Sequence, residues 1–114
     1  MADRKSKANP RRGNSTRRNQ ARETIKRRHL PCALCGRPID YSLPAGHPMS
    51  YELDEIVPVS KGGSPYRLSN LQPAHRICNA KRSNKSMEEW RRQQKIIKNT
   101  KNMQKKLNNL SRKW

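Results

Sequence analysis

The sequence predicts an α+β fold. A small zinc-stapled domain over residues 29–85 holds a β-hairpin and a helix. It lies between a basic arm (1–28), disordered when free, and a basic amphipathic helix (86–114). Three observations predict this. Two ligand pairs, Cys32-x2-Cys35 and His75-x2-Cys78, bracket the centre. Between them the apolar pattern changes from period two to helical spacing. The charge is also divided. Residues 1–28 carry a net +9, residues 29–85 only +3 and residues 86–114 +7, within a chain of +19.

Each element has its own signature. Residues 1–20 are polar, with Arg pairs, Asn, Gly and Pro, the composition of a disordered segment. "NQARETIKRRHL" (19–30) suits either a short basic helix ending before Pro31 or a solvated tail. "PCALCG" has the form of a zinc-binding turn, and "YSLPAGHPMS" (41–50) is loop-like. "YELDEIVPVS" (51–60) alternates apolar and acidic residues, as a strand does. Gly62-Gly63 and Ser64-Pro65 mark a turn. In "NLQPAHRICNAK", Leu71, Ala74, Ile77 and Cys78 share a helical face, and Pro73 suits a first helical turn. "SMEEW" carries a capping box, Ser86 with Glu89, opening a long helix over about 88–112. Asn99-Thr100 is its weak point. Trp90 is expected to pack, while Met103, Leu107, Leu110 and Trp114 form an apolar stripe.

A hydrophobic fraction of 31% without Phe is thin for a core, so a staple is expected. Thiolates and imidazole bind zinc tetrahedrally, and two-residue spacers let each pair reach one ion. Cys32, Cys35, His75 and Cys78 use all three cysteines of the chain. Four protein ligands leave no open position, so this zinc is structural. The odd cysteine count argues against a disulfide framework. The charge implies a polyanionic partner, most simply nucleic acid, and no apolar segment suits membrane insertion. The start has no secretory pattern, which places the protein in the cytoplasm of the cell that makes it.

Glu52, Asp54 and Glu55 concentrate three of only eight acids in four residues. The zinc pairs bring this stretch close to the helix bearing Cys78, Asn79 and Lys81. A carboxylate with an amide carbonyl suits a hard cation, which beside nucleic acid supports phosphodiester chemistry.

The segment "CALCG…LDEIVPVSKGGSPYRLSNLQPAHRICNAKR" resembles the HNH endonucleases of the small phage and prophage type, over roughly residues 31–85. The resemblance implies a ββα-metal finger, with the hairpin and helix around one divalent cation (Mg²⁺, Mn²⁺ or Ni²⁺). It implies that Asp54 and Asn79 are the cation's ligands. Asn70 ties the hairpin loop and helps fix the base, and Lys81 meets phosphate. It also implies a host-cytoplasmic DNA endonuclease or nickase, with terminase or portal components of genome packaging as partners. One departure stands out. The family's water-activating histidine is replaced by Glu55, already deprotonated at neutral pH from a reference pKa of about 4.3. Glu55 is therefore the base or a further metal ligand, with His47 a conceivable stand-in.

Arg11, Arg12, Arg17, Arg18, Arg27 and Arg28, with Lys61 and Arg82, are the expected nucleic-acid contacts. A zinc-stapled nucleic-acid-binding or packaging accessory protein, catalytically weak or inactive, is the alternative. It explains the charge and the cysteines but not Asp54, Asn70 and Asn79.

Overall fold

The computed structural model of the chain describes residues 15–112, which form two units divided between Asn84 and Lys85. In the first unit, helix α1 (Ser15–Arg27) precedes strands β1 (Tyr51–Glu55) and β2 (Leu71–His75), and helix α2 (Arg76–Arg82) follows.

The segment 15–27 is thus a packed helix: the helical reading of 19–30 fits its second half, and the helix begins earlier, within the stretch 1–20 read as disordered. Its apolar content is small but well placed. Ala21 and Ile25 lie one turn apart and are buried against Leu53 of β1 and Leu71 of β2, with Tyr51 at the edge. The Tyr51 hydroxyl adds a hydrogen bond to the Arg22 carbonyl, 3.0 Å away. A four-residue cluster of this kind contributes about 1.5–3 kcal/mol for each larger side chain. That is little against the entropy of ordering the unit. The remainder of the expected arm, with Arg11 and Arg12, lies outside the described residues.

β1 and β2 pair antiparallel, Tyr51 opposite His75 and Asp54 opposite Gln72. The stretch expected to open a helix around Pro73 is therefore a strand, and α2 begins only after His75. Pro73 is tolerated because a two-stranded sheet has free edges. Its carbonyl accepts the Ala33 amide at 2.9 Å, tying β2 to the loop before β1.

Asn70 braces the long connection between the strands. Asn70 Oδ1 accepts the Val57 amide at 2.8 Å. Asn70 Nδ2 donates to the carbonyls of Val57 (3.0 Å) and Ser64 (2.8 Å). Gly63 passes under this brace, and a Cβ there would stand 1.7 Å from the Val57 oxygen.

The second unit contains helix α3 (Met87–Arg112), continuous through Asn99-Thr100. Ser86 Oγ accepts the Glu89 amide at 3.0 Å, as the cap predicts. Trp90 is buried. Ile96, Met103, Leu107 and Leu110 are exposed. Trp114 lies outside the described residues. Among the described residues no helix is long and apolar enough to cross a membrane.

Candidate functional site

The zinc cluster is assembled from three pieces of chain. Cys32 and Cys35 sit on a tight turn closed by the Gly36 amide donating to the Cys32 carbonyl at 2.8 Å. Gly36 takes a left-handed φ of 78°, which only glycine adopts at little cost. His75 ends β2, and Cys78 lies in the first turn of α2. The four ligand atoms lie within 4.8 Å of one another. Cys35 Sγ is 3.3 Å and Cys78 Sγ 3.8 Å from His75 Nδ1. His75 Nε2 lies 3.1 Å from the Pro38 carbonyl. A proton on Nε2 satisfies that carbonyl and leaves Nδ1 as the ligand. Backbone amides of Cys35 and His75 both point at Cys32 Sγ, each at 3.4 Å. Burial, and then the negative charge of Cys32, push the Cys78 thiol up to about 12. A dication relieves that crowding, so the donor set fits structural zinc.

Next to this cluster a cleft of about 740 Å³ is lined by Glu52, Asp54, Glu55 and Asn79, with Arg18 and Arg22 of α1. Alternation along β1 sends its acids in two directions. Glu52 and Asp54 meet α2, and Glu55 meets α1.

On the α2 side, Asp54 is buried, and burial raises its carboxyl above the usual range, against the pull of Gln72 and Arg82. Gln72, its cross-strand partner, donates to Oδ2 at 2.7 Å. Arg82 Nη1 donates to the same oxygen at 2.6 Å and to the Glu55 carbonyl at 2.7 Å. Arg82 Nη2 reaches the Ile56 carbonyl. The Arg82 side chain is 0% exposed. Arg82 is therefore an internal brace of the acidic strand and not the nucleic-acid contact expected from its charge. Asn79 Nδ2 donates to Glu52 Oε1 at 2.9 Å, leaving its own carbonyl oxygen available to a cation. Arg76 lies 3.6 Å from the other Glu52 oxygen.

On the α1 side, Arg18 Nη1 donates to Glu55 Oε2 at 2.7 Å and to the Pro65 carbonyl at 2.8 Å. The two side chains are 12% and 9% exposed. Arg18, expected on the nucleic-acid surface, instead clamps α1 to the hairpin. A proton taken up by Glu55 would weaken this pair. Arg17 lies 5.1 Å over the Tyr66 ring, and Arg27 donates to Thr24. Arg28, Lys61 and Lys81 are exposed. His47 is in the loop before β1, its Nδ1 accepting the Met49 amide at 3.0 Å.

Gln72 was not foreseen as part of the site, Glu52 had no assigned role, and Arg82 was expected as a nucleic-acid contact. A signal for Arg82 was present. His75, Cys78, Asn79 and Arg82 fall at i, i+3, i+4 and i+7, one inward helical face, and Lys81 falls off it. Gln72 could be assigned only through the strand register.

Residues 32–85 match the family model described as HNH endonuclease. No curated protein and no solved structure matches the chain.

Proposed function

We propose that the HNH endonuclease domain of residues 32–85 makes this chain a metal-dependent DNA endonuclease or nickase. The observation that carries the reading is the convergence of Asp54 and Asn79, from β1 and α2, on one cleft beside the zinc cluster. Their oxygens, with those of Glu52, are the hard donors that Mg²⁺ or Mn²⁺ prefers, and Ni²⁺ is the third candidate. When bound, such a cation would stabilise charge on the phosphate and make a water easier to deprotonate.

The chain's own residues do the rest. Arg82 and Gln72 fix the Asp54 carboxylate, and Glu52 orients the Asn79 amide. Asn70 holds the loop that carries the strand end. Glu55, in the base position, receives the proton from water once its Oε2 is released by Arg18. Lys81 and the exposed basic residues take up backbone phosphates, so binding weakens steeply with salt. A role in phage genome processing with terminase or portal components belongs to the same reading and rests on the resemblance alone.

The test is supercoiled plasmid incubated with Mn²⁺, Mg²⁺ or Ni²⁺. Nicking lost in Asp54→Ala and Asn79→Ala, with zinc content unchanged, is the expected result. No nicking with any of the three cations would sink the enzyme reading. Nicking unchanged in Glu55→Gln would remove Glu55 as the base.

One observation favours the second reading, a nucleic-acid-binding protein with weak or no catalysis. The only carboxylate in the base position is held in an ion pair. In that case plasmid is bound but left intact, and Glu55→His, restoring imidazole, raises cleavage.

A further inference from the structure

We propose that Arg22 is a phosphate ligand inside the cleft, gripping the nucleic-acid backbone opposite the α2 side of the acidic strand. The inference rests on the nuclease reading and adds to it a substrate subsite on α1.

Two cations line the cleft among the described residues, Arg18 and Arg22, one helical turn apart. Their engagement differs. Arg18 spends its guanidinium on Glu55 and on the Pro65 carbonyl. Arg22 is exposed, and among the described residues no hydrogen bond or ion pair holds its guanidinium. Its backbone, by contrast, is fixed. Its carbonyl accepts the Tyr51 hydroxyl, and its neighbour Ala21 is buried in the core. A donor group unengaged among the described residues thus stands on an anchored stem in the cleft lining.

The charge around it explains the need. Glu52, Asp54 and Glu55 line the same cleft, and an approaching phosphodiester is repelled by any of this charge left uncompensated. Arg82 and Arg76 balance the α2 side but lie outside the cleft lining, and Arg82 is wholly buried. Arg22 is the cleft cation with its fork of N–H donors unspent, and that fork matches two phosphate oxygens. The other basic residues supply affinity wherever the polyanion lies, whereas Arg22 acts only on a phosphate already in the cleft.

The experiment uses the full zinc-loaded chain and a single-stranded DNA tetranucleotide, too short to engage many basic residues at once. The Arg side-chain Nε–Hε resonances are followed by NMR during titration. The Arg22 signal should shift saturably while that of Arg37, on the zinc turn, stays put. Arg22→Ala should weaken tetranucleotide binding about tenfold, and Arg22→Lys should restore part of the loss. Arg37→Ala should leave it unchanged. With a cleavable substrate, Arg22→Ala should raise KM more than it lowers kcat.

An unmoved Arg22 resonance, or Arg37 moving in parallel with it, would overturn the subsite. Plasmid cleavage with an unmoved Arg22 defeats the subsite alone. A saturable Arg22 shift without cleavage under any cation defeats the nuclease reading alone.

Discussion

The zinc cluster and the acidic cleft lie on the same hairpin and helix, yet they handle negative charge in opposite ways. In the zinc cluster, Cys32, Cys35 and Cys78 crowd one another around His75. Burial and mutual repulsion hold the Cys78 thiol high. That donor set fits a dication. In the cleft each carboxylate already has a partner from the chain: Arg76 and Asn79 for Glu52, Arg82 and Gln72 for Asp54, Arg18 for Glu55. The cleft carboxylates are held by cations and amides of the chain itself. One cluster has the donor set of a staple, and the other holds its charge in pairs within the chain.

Removing the staple should have the largest effect. Structural zinc supplies about 10 kcal/mol or more of folding free energy in small domains. Total stability is only about 5–15 kcal/mol. Cys78→Ser, or chelation of the parent, should therefore unfold the first unit, seen as loss of circular dichroism together with zinc. Removing divalent cations other than zinc should leave the spectrum intact. If chelation left the hairpin folded, the contrast between the two clusters would collapse.

Arg82→Ala comes next. It strands the buried Asp54 carboxylate and frees two strand-end carbonyls, and breaking a buried pair costs about 3–5 kcal/mol. Chemical denaturation should show a loss of that order with zinc still bound. Asp54→Asn keeps the Gln72 and Arg82 partners within reach of an amide oxygen, so it should cost less. Equal losses would mean that Arg82 acts through the carbonyls of Glu55 and Ile56 and not through Asp54.

These two predictions draw on features that differ in how well the sequence revealed them. The zinc ligands were legible because their chemistry tolerates few other residues and their spacings fit one ion. The hairpin acids were legible because three carboxylates in a basic chain demand an explanation. Helix α3 announced itself through Ser86 and Glu89. What escaped notice depends on pairing across the chain. Polar composition concealed the start of α1 and its packing, since two apolar residues, Ala21 and Ile25, suffice when Leu53 and Leu71 wait for them. Pro73 and the spacing of Leu71, Ala74 and Ile77 imitated a helix start, and only pairing with β1 makes that segment a strand. Arg82 and Arg18 were read by charge, although each has a carboxylate near enough in the fold to hold it inside.

Smaller effects are expected where the loop is braced. Asn70→Ala removes hydrogen bonds to Val57 and Ser64 and leaves those backbone groups to find water. The expected cost is about 1–3 kcal/mol. Faster amide exchange should be confined to residues near the brace, with the zinc cluster protected as before. Exchange accelerating equally across the zinc turn would join the two regions into one cooperative unit.

The smallest effect concerns protons in the cleft. Burial raises the Asp54 carboxyl above its ordinary value of 3.8. A group whose pKa is raised by folding stabilises the fold fully below the unfolded value. That contribution is lost as pH rises through the folded pKa. Protonating Asp54 therefore favours the fold slightly, yet it removes the charge that a divalent cation in the cleft would use. Mn²⁺ affinity at the cleft should fall on acidification before the range of an exposed aspartate is reached, while zinc remains bound. Mn²⁺ titration followed by electron paramagnetic resonance, with zinc content measured at each pH, checks this. Asp54→Asn should weaken Mn²⁺ binding and flatten its pH dependence. A variant with the parent's affinity and pH profile would show that Asp54 is held by Arg82 for structure alone, and that Glu52 and Asn79 are the groups left to bind the cation.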